Sequence, residues 1–202
     1  MIGLYGKGTA MGREFELKYR VNTGIIPNIR EKFGTLESIS METAYYDTPG
    51  GDLGRLRWTL RRRMENGRSV CTLKTPLPDG SRGEWELECG AIEDAVPALC
   101  KLGAPAELEV LARKGLVPSC AARFTRLAAA LEISDATVEL ALDQGWLLGG
   151  GKELPFAEVE VELKSGREEA ATAFAEALAA EFALIPEPKS KVQRALELAN
   201  QT

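Results

Sequence analysis

Two segments of this chain place a charge on every second residue, and few folds can accommodate that. Near the start runs Glu14-Phe15-Glu16-Leu17-Lys18-Tyr19-Arg20-Val21, and near the end Glu158-Val159-Glu160-Val161-Glu162-Leu163-Lys164. In a β-strand successive side chains point to opposite faces. Phe15, Leu17, Tyr19 and Val21 therefore share one face, and Glu14, Glu16, Lys18 and Arg20 the other. A half-buried strand usually mixes Ser, Thr and Asn into its polar face; here that face carries only ionic groups, twice over. Such a face requires water, or an ionic ligand with its metal ions.

The pattern recurs between these ends. Arg61 and Arg63 share a face in Leu60-Arg61-Arg62-Arg63, as do Thr72 and Lys74 in Thr72-Leu73-Lys74. Arg82, Glu84, Glu86 and Glu88 lie opposite Trp85 and Leu87, and Glu139 and Asp143 lie opposite Val138, Leu140 and Leu142. One such strand is most simply a sheet with a wet outer face. The whole set needs another reason, because Glu and Lys are poor strand formers.

Alternation predicts eight strands, at about 13–21, 38–47, 57–65, 69–75, 82–89, 122–132, 137–147 and 156–164. Turn residues separate them: Glu65-Asn66-Gly67, Pro78-Asp79-Gly80 and Gly149-Gly150-Gly151. Helical spacing predicts helices near 25–33, 92–102, 106–114, 167–182 and 191–199. The expected class is α+β, mainly β. An eight-stranded antiparallel barrel encloses room for side chains or one small ligand. With the charged faces inward, the apolar faces can pack beneath the helices. With them outward, the helices would have little to cover. The lumen must then be wet, ion-paired or occupied.

At 202 residues, 45% hydrophobic and 27% charged, the chain is expected to form one domain over residues 12–202, behind a flexible extension at 1–11. The net charge of −5 argues against nucleic acid as the main partner. No apolar run approaches a membrane span and no signal peptide is apparent, so a cytoplasmic protein is expected. Cys71, Cys89, Cys100 and Cys120 are widely spaced and read as reduced, mostly buried thiols. There is no histidine. That excludes Ser-His and Cys-His nucleophiles and His-ligated zinc, so a metal site must be built from oxygen, which favours Mg²⁺, Mn²⁺ or Ca²⁺. Trp58, Trp85 and Trp146 read as packing residues, and Gly149 to Gly151 as a loop.

The ordered motifs resemble the CYTH superfamily, the triphosphate tunnel metalloenzymes. Glu14-x-Glu16-x-Lys18 matches the family's ExExK signature. Tyr45-Tyr46-Asp47-Thr48, Leu60-Arg61-x-Arg63, Thr72-Leu73-Lys74, Arg82-x-Glu84-x-Glu86, Leu142-Asp143-x-Gly145, Glu158-x-Glu160-x-Glu162-Leu163-Lys164 and Ser190-Lys191-x-x-Arg194 follow in order. The resemblance covers about residues 12–198 and implies an eight-stranded antiparallel tunnel with a charged lumen. It departs from the family at Ala195, where Gly often follows the arginine.

The resemblance implies a divalent-metal-dependent hydrolase of triphosphate-containing substrates, with Mg²⁺ or Mn²⁺ as cofactor. Inorganic triphosphate is the preferred substrate. The alternatives are a class IV adenylate cyclase, a thiamine triphosphatase, and a polyphosphate- or nucleotide-binding module without turnover. By the same matching, Glu14, Glu16, Glu158 and Glu160 are the metal-ligand candidates. Lys18, Glu84 and Glu162 are the catalytic candidates, through steering or activating a water. Lys18, Arg61, Arg63, Lys74, Arg82, Arg126, Lys164, Lys189, Lys191 and Arg194 are the substrate-binding candidates. Glu86, Glu139 and Asp143 stand behind them as water-mediated ligands or ion-pair partners. In the strand at 122–132, Arg126 is expected to point inward and Arg123 into solvent. A homodimer stays open. Glu160→Gln is expected to cut turnover at little cost in stability, because a wet lumen tolerates the lost charge.

Overall fold

The computed structural model describes residues 9–78 and 81–201, with side chains from Phe15 onward. The expected extension lies outside the described residues as far as residue 8; residues 9–11 belong to the first strand. Asp79 and Gly80 of the second predicted turn also lie outside them.

In chain order the elements begin with β1 (Thr9–Glu14), β2 (Glu16–Arg20), a 3₁₀ turn (Thr23–Ile25), α1 (Ile26–Phe33), β3 (Glu37–Asp47) and α2 (Asp52–Arg55). Next come β4 (Thr59–Glu65), β5 (Arg68–Pro76), β6 (Arg82–Glu88), α3 (Ile92–Lys101) and α4 (Glu107–Ala112). The chain continues with β7 (Val117–Ile133), β8 (Ala136–Gly149), β9 (Lys152–Gly166), α5 (Glu168–Phe182), β10 (Ile185–Pro186) and α6 (Lys191–Asn200). The fold is mainly β, with helices against an antiparallel sheet of order β1-β6-β5-β4-β3-β7-β8-β9-β2-β10.

Ten strands stand where eight were expected, for two local reasons. The predicted first strand divides at Phe15: Glu14 pairs with Arg82 of β6, whereas Glu16 pairs with Glu162 of β9. The second addition, Ile185–Pro186, is too short to leave an alternating pattern and borrows its pairing from Arg20 and Tyr19. The predicted strand at 57–65 starts late, because α2 runs into a turn in which Arg57 takes a left-handed backbone (φ 58). Hairpin chemistry set the other registers. Asn66-Gly67 and Gly150-Gly151 each supply two consecutive positive-φ residues, as a tight hairpin between right-twisted strands demands.

The apolar faces lie under the helices. Val138, Leu140, Leu142, Val159 and Val161 of β8 and β9 are fully buried with Ala171, Ala175 and Leu178 of α5. Those three recur at helical spacing, which is why the Ala-rich segment folds as one amphipathic helix. Leu60, Leu73, Trp85 and Leu87 form a second core with α3 and α4 through Ile92, Val96, Leu99 and Leu108. The charged faces are thereby turned away from both cores. A third cluster seats α6 against Met41, Tyr45, Phe124, Leu147 and Phe156. Helix α6 starts in a capping box between Ser190 and Gln193. It then passes so close to β8 that a Cβ on Gly149 would lie 2.1 Å from the Ala195 carbonyl oxygen. Only glycine permits that approach. No helix among the described residues is long and apolar enough to cross a membrane.

Candidate functional site

The charged faces converge on a cavity of about 990 Å³. Strand β2 contributes Glu16 and Lys18; β4 contributes Thr59, Arg61, Arg63 and Glu65; β5 gives Lys74; β6 gives Arg82, Glu84 and Glu86. Arg126 comes from β7, Glu139 from β8, Glu160, Glu162 and Lys164 from β9, and Lys191 from α6. Period-two alternation accounts for this convergence, because each strand exposes one parity to the cavity and buries the other in a core.

On the β8–β9–α6 side the charges are dense and dry. Asp143 and Glu158 have no solvent exposure and Glu160 is 6% exposed. Their carboxylate oxygens lie within 4.8 Å of one another. The Lys191 ammonium, fixed at the first turn of α6, lies 2.8 Å from Asp143 Oδ2, 2.6 Å from Glu158 Oε2 and 2.6 Å from Glu160 Oε1. Arg126 donates from Nε and Nη2 to the two oxygens of Asp143, both at 2.8 Å, and also pairs with Glu160. Arg194 pairs with Glu158. Lys191 further lies 5.2 Å from the Phe124 ring centroid and 5.5 Å from that of Phe156, so the charge is bounded by aromatic faces.

These contacts set the protonation states. Burial alone would raise the Glu160 carboxyl, but Lys191 and Arg126 hold it well below the ordinary value. Burial would likewise lower Arg126, and Asp143 and Glu160 instead hold it well above the usual arginine value. Lys191 is raised: burial opposes its charge, and Asp143 and Glu160 outweigh that. Glu160, Arg126 and Lys191 are thus held in their charged forms, and two atoms of the cluster, Arg194 Nε and Glu158 Oε2, are buried without a hydrogen bond. The second of these lacks hydrogen-bond geometry although Lys191 is near.

On the β4–β5–β6 side the arrangement is looser and more basic. Arg61 and Lys74 approach Glu84 at 3.7 Å and 3.4 Å, and Arg63 approaches Glu65 at 3.5 Å. Arg63 also donates to Thr43 Oγ1 at 3.2 Å. Burial lowers Arg63 from its usual value, and the positive charges of Arg61 and Arg126 lower it further. Arg82 donates to Thr59 Oγ1 at 3.2 Å, and Glu86 accepts from Thr72 Oγ1 at 2.9 Å. Across the cavity, Lys18 lies 3.6 Å from Glu16, and Lys164 lies 2.8 Å from Glu162 and 3.6 Å from Glu139.

Most of the residues singled out by sequence therefore meet in one place, with three qualifications. The Glu14 side chain lies outside the described residues. Glu158 and Arg194 sit behind the cavity wall, in contact with Lys191 and Glu187 respectively. Lys189 is apart, 52% exposed and paired at 2.8 Å with Glu197 on the outer side of α6. Arg123 is exposed and faces Glu153 at 3.7 Å, opposite in parity to Arg126. Sequence reasoning ranked Asp143 below the glutamates, yet Asp143, like Glu160, is tied to both Arg126 and Lys191. It passed over Arg57, which lines the cavity, and read Trp58 as packing, whereas Trp58 both packs on the α3–α4 core and lines the cavity. The signal for Arg57 was parity, since Arg57, Thr59, Arg61 and Arg63 alternate. Two of the four free thiols, Cys71 and Cys120, are buried and raised by burial to about 12 and about 11, which leaves them inert at neutral pH.

The donor set fits a hard divalent cation: carboxylate oxygens from three positions within one ion's reach, and one buried oxygen lacking a hydrogen bond. An ammonium group already sits at the same point, which is the charge such a cluster requires.

Comparison with known proteins gives the site its context. The CYTH domain profile matches residues 12–196. The inorganic triphosphatase of Haemophilus influenzae is 30% identical over 198 residues, covering 95% of this chain and 56% of that protein. The chain thus spans little more than half the length of this curated relative. Among solved structures, a proposed adenylate cyclase from Bacillus halodurans superposes with a TM-score of 0.63 at 19% identity, covering 92% of this chain and 98% of that one. An adenylyl cyclase candidate from Hippeastrum, described as having a dominant triphosphatase activity, gives 0.63 at 18% identity over 94% and 97%. At these identities the structural likeness establishes the shared fold.

Proposed function

The chain belongs to the CYTH domain family, and on that premise we propose that it is a divalent-metal-dependent triphosphatase acting on inorganic triphosphate inside a closed tunnel. Closure of the sheet is supported by the split at Phe15. Glu14 and Glu16 are two residues apart yet pair with β6 and β9, strands from separated parts of the sheet order. Two residues of strand advance only about 7 Å, so the two sides meet across this segment.

The observation that carries the activity is the cavity's mixed lining, cations and carboxylates from eight elements facing one space. A pure anion receptor would gain nothing from Glu16, Glu84, Glu160 and Glu162 beside the substrate. A metal-assisted phosphoryl transfer needs both charges, since its catalysis rests on positioning and neutralisation. Lys18, Arg61, Arg63, Lys74, Arg82, Arg126 and Lys164 bind and orient the phosphate oxygens, the arginines with two-pronged donors. Glu16 and Glu160, which line the cavity, would hold Mg²⁺ or Mn²⁺ with Glu14, and Glu158 would join them where the ion takes the place of the Lys191 ammonium. When bound, the ion offsets phosphate charge and makes a coordinated water more acidic. Lys18 steers the attacking water, and the carboxylates of Glu84 and Glu162 orient it and take its proton. The bond from the terminal phosphorus to the bridging oxygen breaks, releasing orthophosphate and pyrophosphate.

A substrate panel tests this. Triphosphate, ATP, thiamine triphosphate and pyrophosphate are incubated with Mg²⁺ or Mn²⁺, and orthophosphate and cyclic AMP are scored separately. Triphosphate hydrolysis that stops in chelator and returns with metal is expected. Cyclic AMP from ATP as the main product would make the protein a cyclase, and full activity in chelator would end the metal assignment.

A further inference from the structure

Arginine is a costly choice at position 57. Its backbone is left-handed (φ 58), a conformation glycine adopts without strain and arginine does not. The surroundings hold it there. The Asp47 carboxylate accepts from the backbone N–H groups of Thr48, Leu53 and Gly54 at 2.7, 2.9 and 2.9 Å, fixing the start of α2. At the far end of this short turn the Arg57 N–H donates to the Gly54 carbonyl at 2.9 Å and the Trp58 N–H to Leu53 at 2.9 Å. Trp58 anchors the other side by packing into the α3–α4 core. The sequence Tyr45-Tyr46-Asp47-Thr48 thus builds a rigid support, and what that support presents is Arg57.

Arg57 is exposed, yet it lines the cavity. It extends outward the row Thr59, Arg61, Arg63, all of which line the same space. Among the described residues no carboxylate forms an ion pair with Arg57, whereas Arg61, Arg63 and Lys74 each have one at 3.4–3.7 Å. A cation in a disfavoured conformation, at the solvent end of a phosphate-binding row and with no internal partner, is placed for an anion that enters from outside.

We infer that Arg57 forms an outer phosphate subsite, which takes the phosphate beyond the third in a linear polyphosphate chain and makes chain length a property the protein reads. The inference rests on the triphosphatase reading, and it names a substrate class for the same cavity: linear polyphosphates of four or more units. The rim presents the Arg57 guanidinium, and a phosphate is the group that a guanidinium fits.

The test compares dissociation constants for inorganic tripolyphosphate and linear tetrapolyphosphate, by calorimetry with Mg²⁺, at low enough temperature and short enough time to limit hydrolysis. The wild type should bind the tetraphosphate about tenfold more tightly, and Arg57→Gly should bring the ratio near one while relieving the backbone. Arg57→Lys should restore part of the preference. Arg30→Ala, which removes an equal charge from the exposed surface of α1, should leave the ratio at the wild-type value. An unchanged ratio in Arg57→Gly, with triphosphate still bound, overturns the subsite alone. Failure of the wild type to bind either chain overturns the triphosphatase reading and the subsite together.

Discussion

The two sides of the cavity use the same residue types to opposite ends. On the β8–β9–α6 side, Asp143, Glu158 and Glu160 are buried and closely paired with Lys191, Arg126 and Arg194. On the β4–β5–β6 side, Arg61 and Lys74 lie 3.7 and 3.4 Å from Glu84, and Arg63 lies 3.5 Å from Glu65. The first is an ion network that holds the structure together. The second gathers more cations than carboxylates along one wall of the cavity, where a polyanion can engage several donors at once. Alternation in sequence creates both; burial and the arrival of α6 decide which becomes which.

The largest contrast should come from neutralising one carboxylate on each side. Glu160→Gln should lower unfolding free energy by about 3–5 kcal/mol, because it leaves Arg126 and Lys191 undercompensated in a dry site. Glu84→Gln, whose side chain is 24% exposed, should cost less than about 1 kcal/mol. Both should reduce triphosphate turnover. Urea unfolding of the two variants checks this, and equal stability losses would erase the distinction between the sides. Here the structure corrects a sequence-based expectation. Glu160→Gln looked harmless to stability because the lumen was taken to be wet throughout, and at Glu160 it is not.

Removing a donor from the looser side should separate binding from folding. Arg61→Ala should weaken triphosphate binding by about 1.5–3 kcal/mol, the value of a charge-assisted hydrogen bond, or roughly tenfold to a hundredfold. Unfolding free energy without ligand should stay level or rise, since Arg63 loses a repulsive neighbour. The loss should be large for triphosphate, smaller for pyrophosphate and nearly nil for orthophosphate. Calorimetric titration with the three anions measures it, and an equal loss for all three would mean that the basic row does not act as a unit.

How much of this was legible in the sequence follows from the physics of each signal. Strand parity is local, so the facing of Lys18, Arg61, Arg126 and Glu160 could be read directly. The hairpins were marked by Asn66-Gly67 and Gly150-Gly151, whose backbone needs are equally local. Whether a charge is paired is a tertiary fact. Lys191 meets Asp143 only because α6 docks on the glycine backbone at 149, and Lys189 turns outward only because the capping box at Ser190 sets the helix phase. The crossing at Phe15 was hidden for the same reason: alternation runs unbroken through Glu14 and Glu16 while their neighbours change.

The dense side should also impose two pH limits. Glu160 titrates below its ordinary value of 4.5. Its contribution is therefore complete above that value and is lost as pH falls through the folded one. Lys191 titrates above 10.5, so its contribution is complete below that and disappears as pH rises through the folded value. Each limb should carry a slope of up to about 1.4 kcal/mol per pH unit for one proton. Lys191→Met should remove its share of the alkaline limb. Denaturant titrations at pH 3 to 11 read this, and an alkaline limb of wild-type slope in Lys191→Met would show that the buried network does not govern the pH response.

The smallest expected effect is the most discriminating, because it compares two lysines one residue apart. Lys189 and Lys191 flank Ser190 and both fall in the basic motif before α6. Lys191 is buried among three carboxylates, whereas Lys189 is half exposed and meets Glu197 with an oxygen at 2.8 Å. An exposed pair of that kind contributes about 0.2–1 kcal/mol, and salt screens it further. Lys189→Ala should therefore change unfolding free energy by less than about 1 kcal/mol and triphosphate affinity by less than about twofold, with any effect fading as salt is raised. Lys191→Ala should cost several kcal/mol under the same conditions. Binding and unfolding measured at low and high salt decide it. A loss of triphosphate affinity in Lys189→Ala as large as in Arg61→Ala would mean that α6 rearranges when substrate arrives and carries Lys189 to the phosphates.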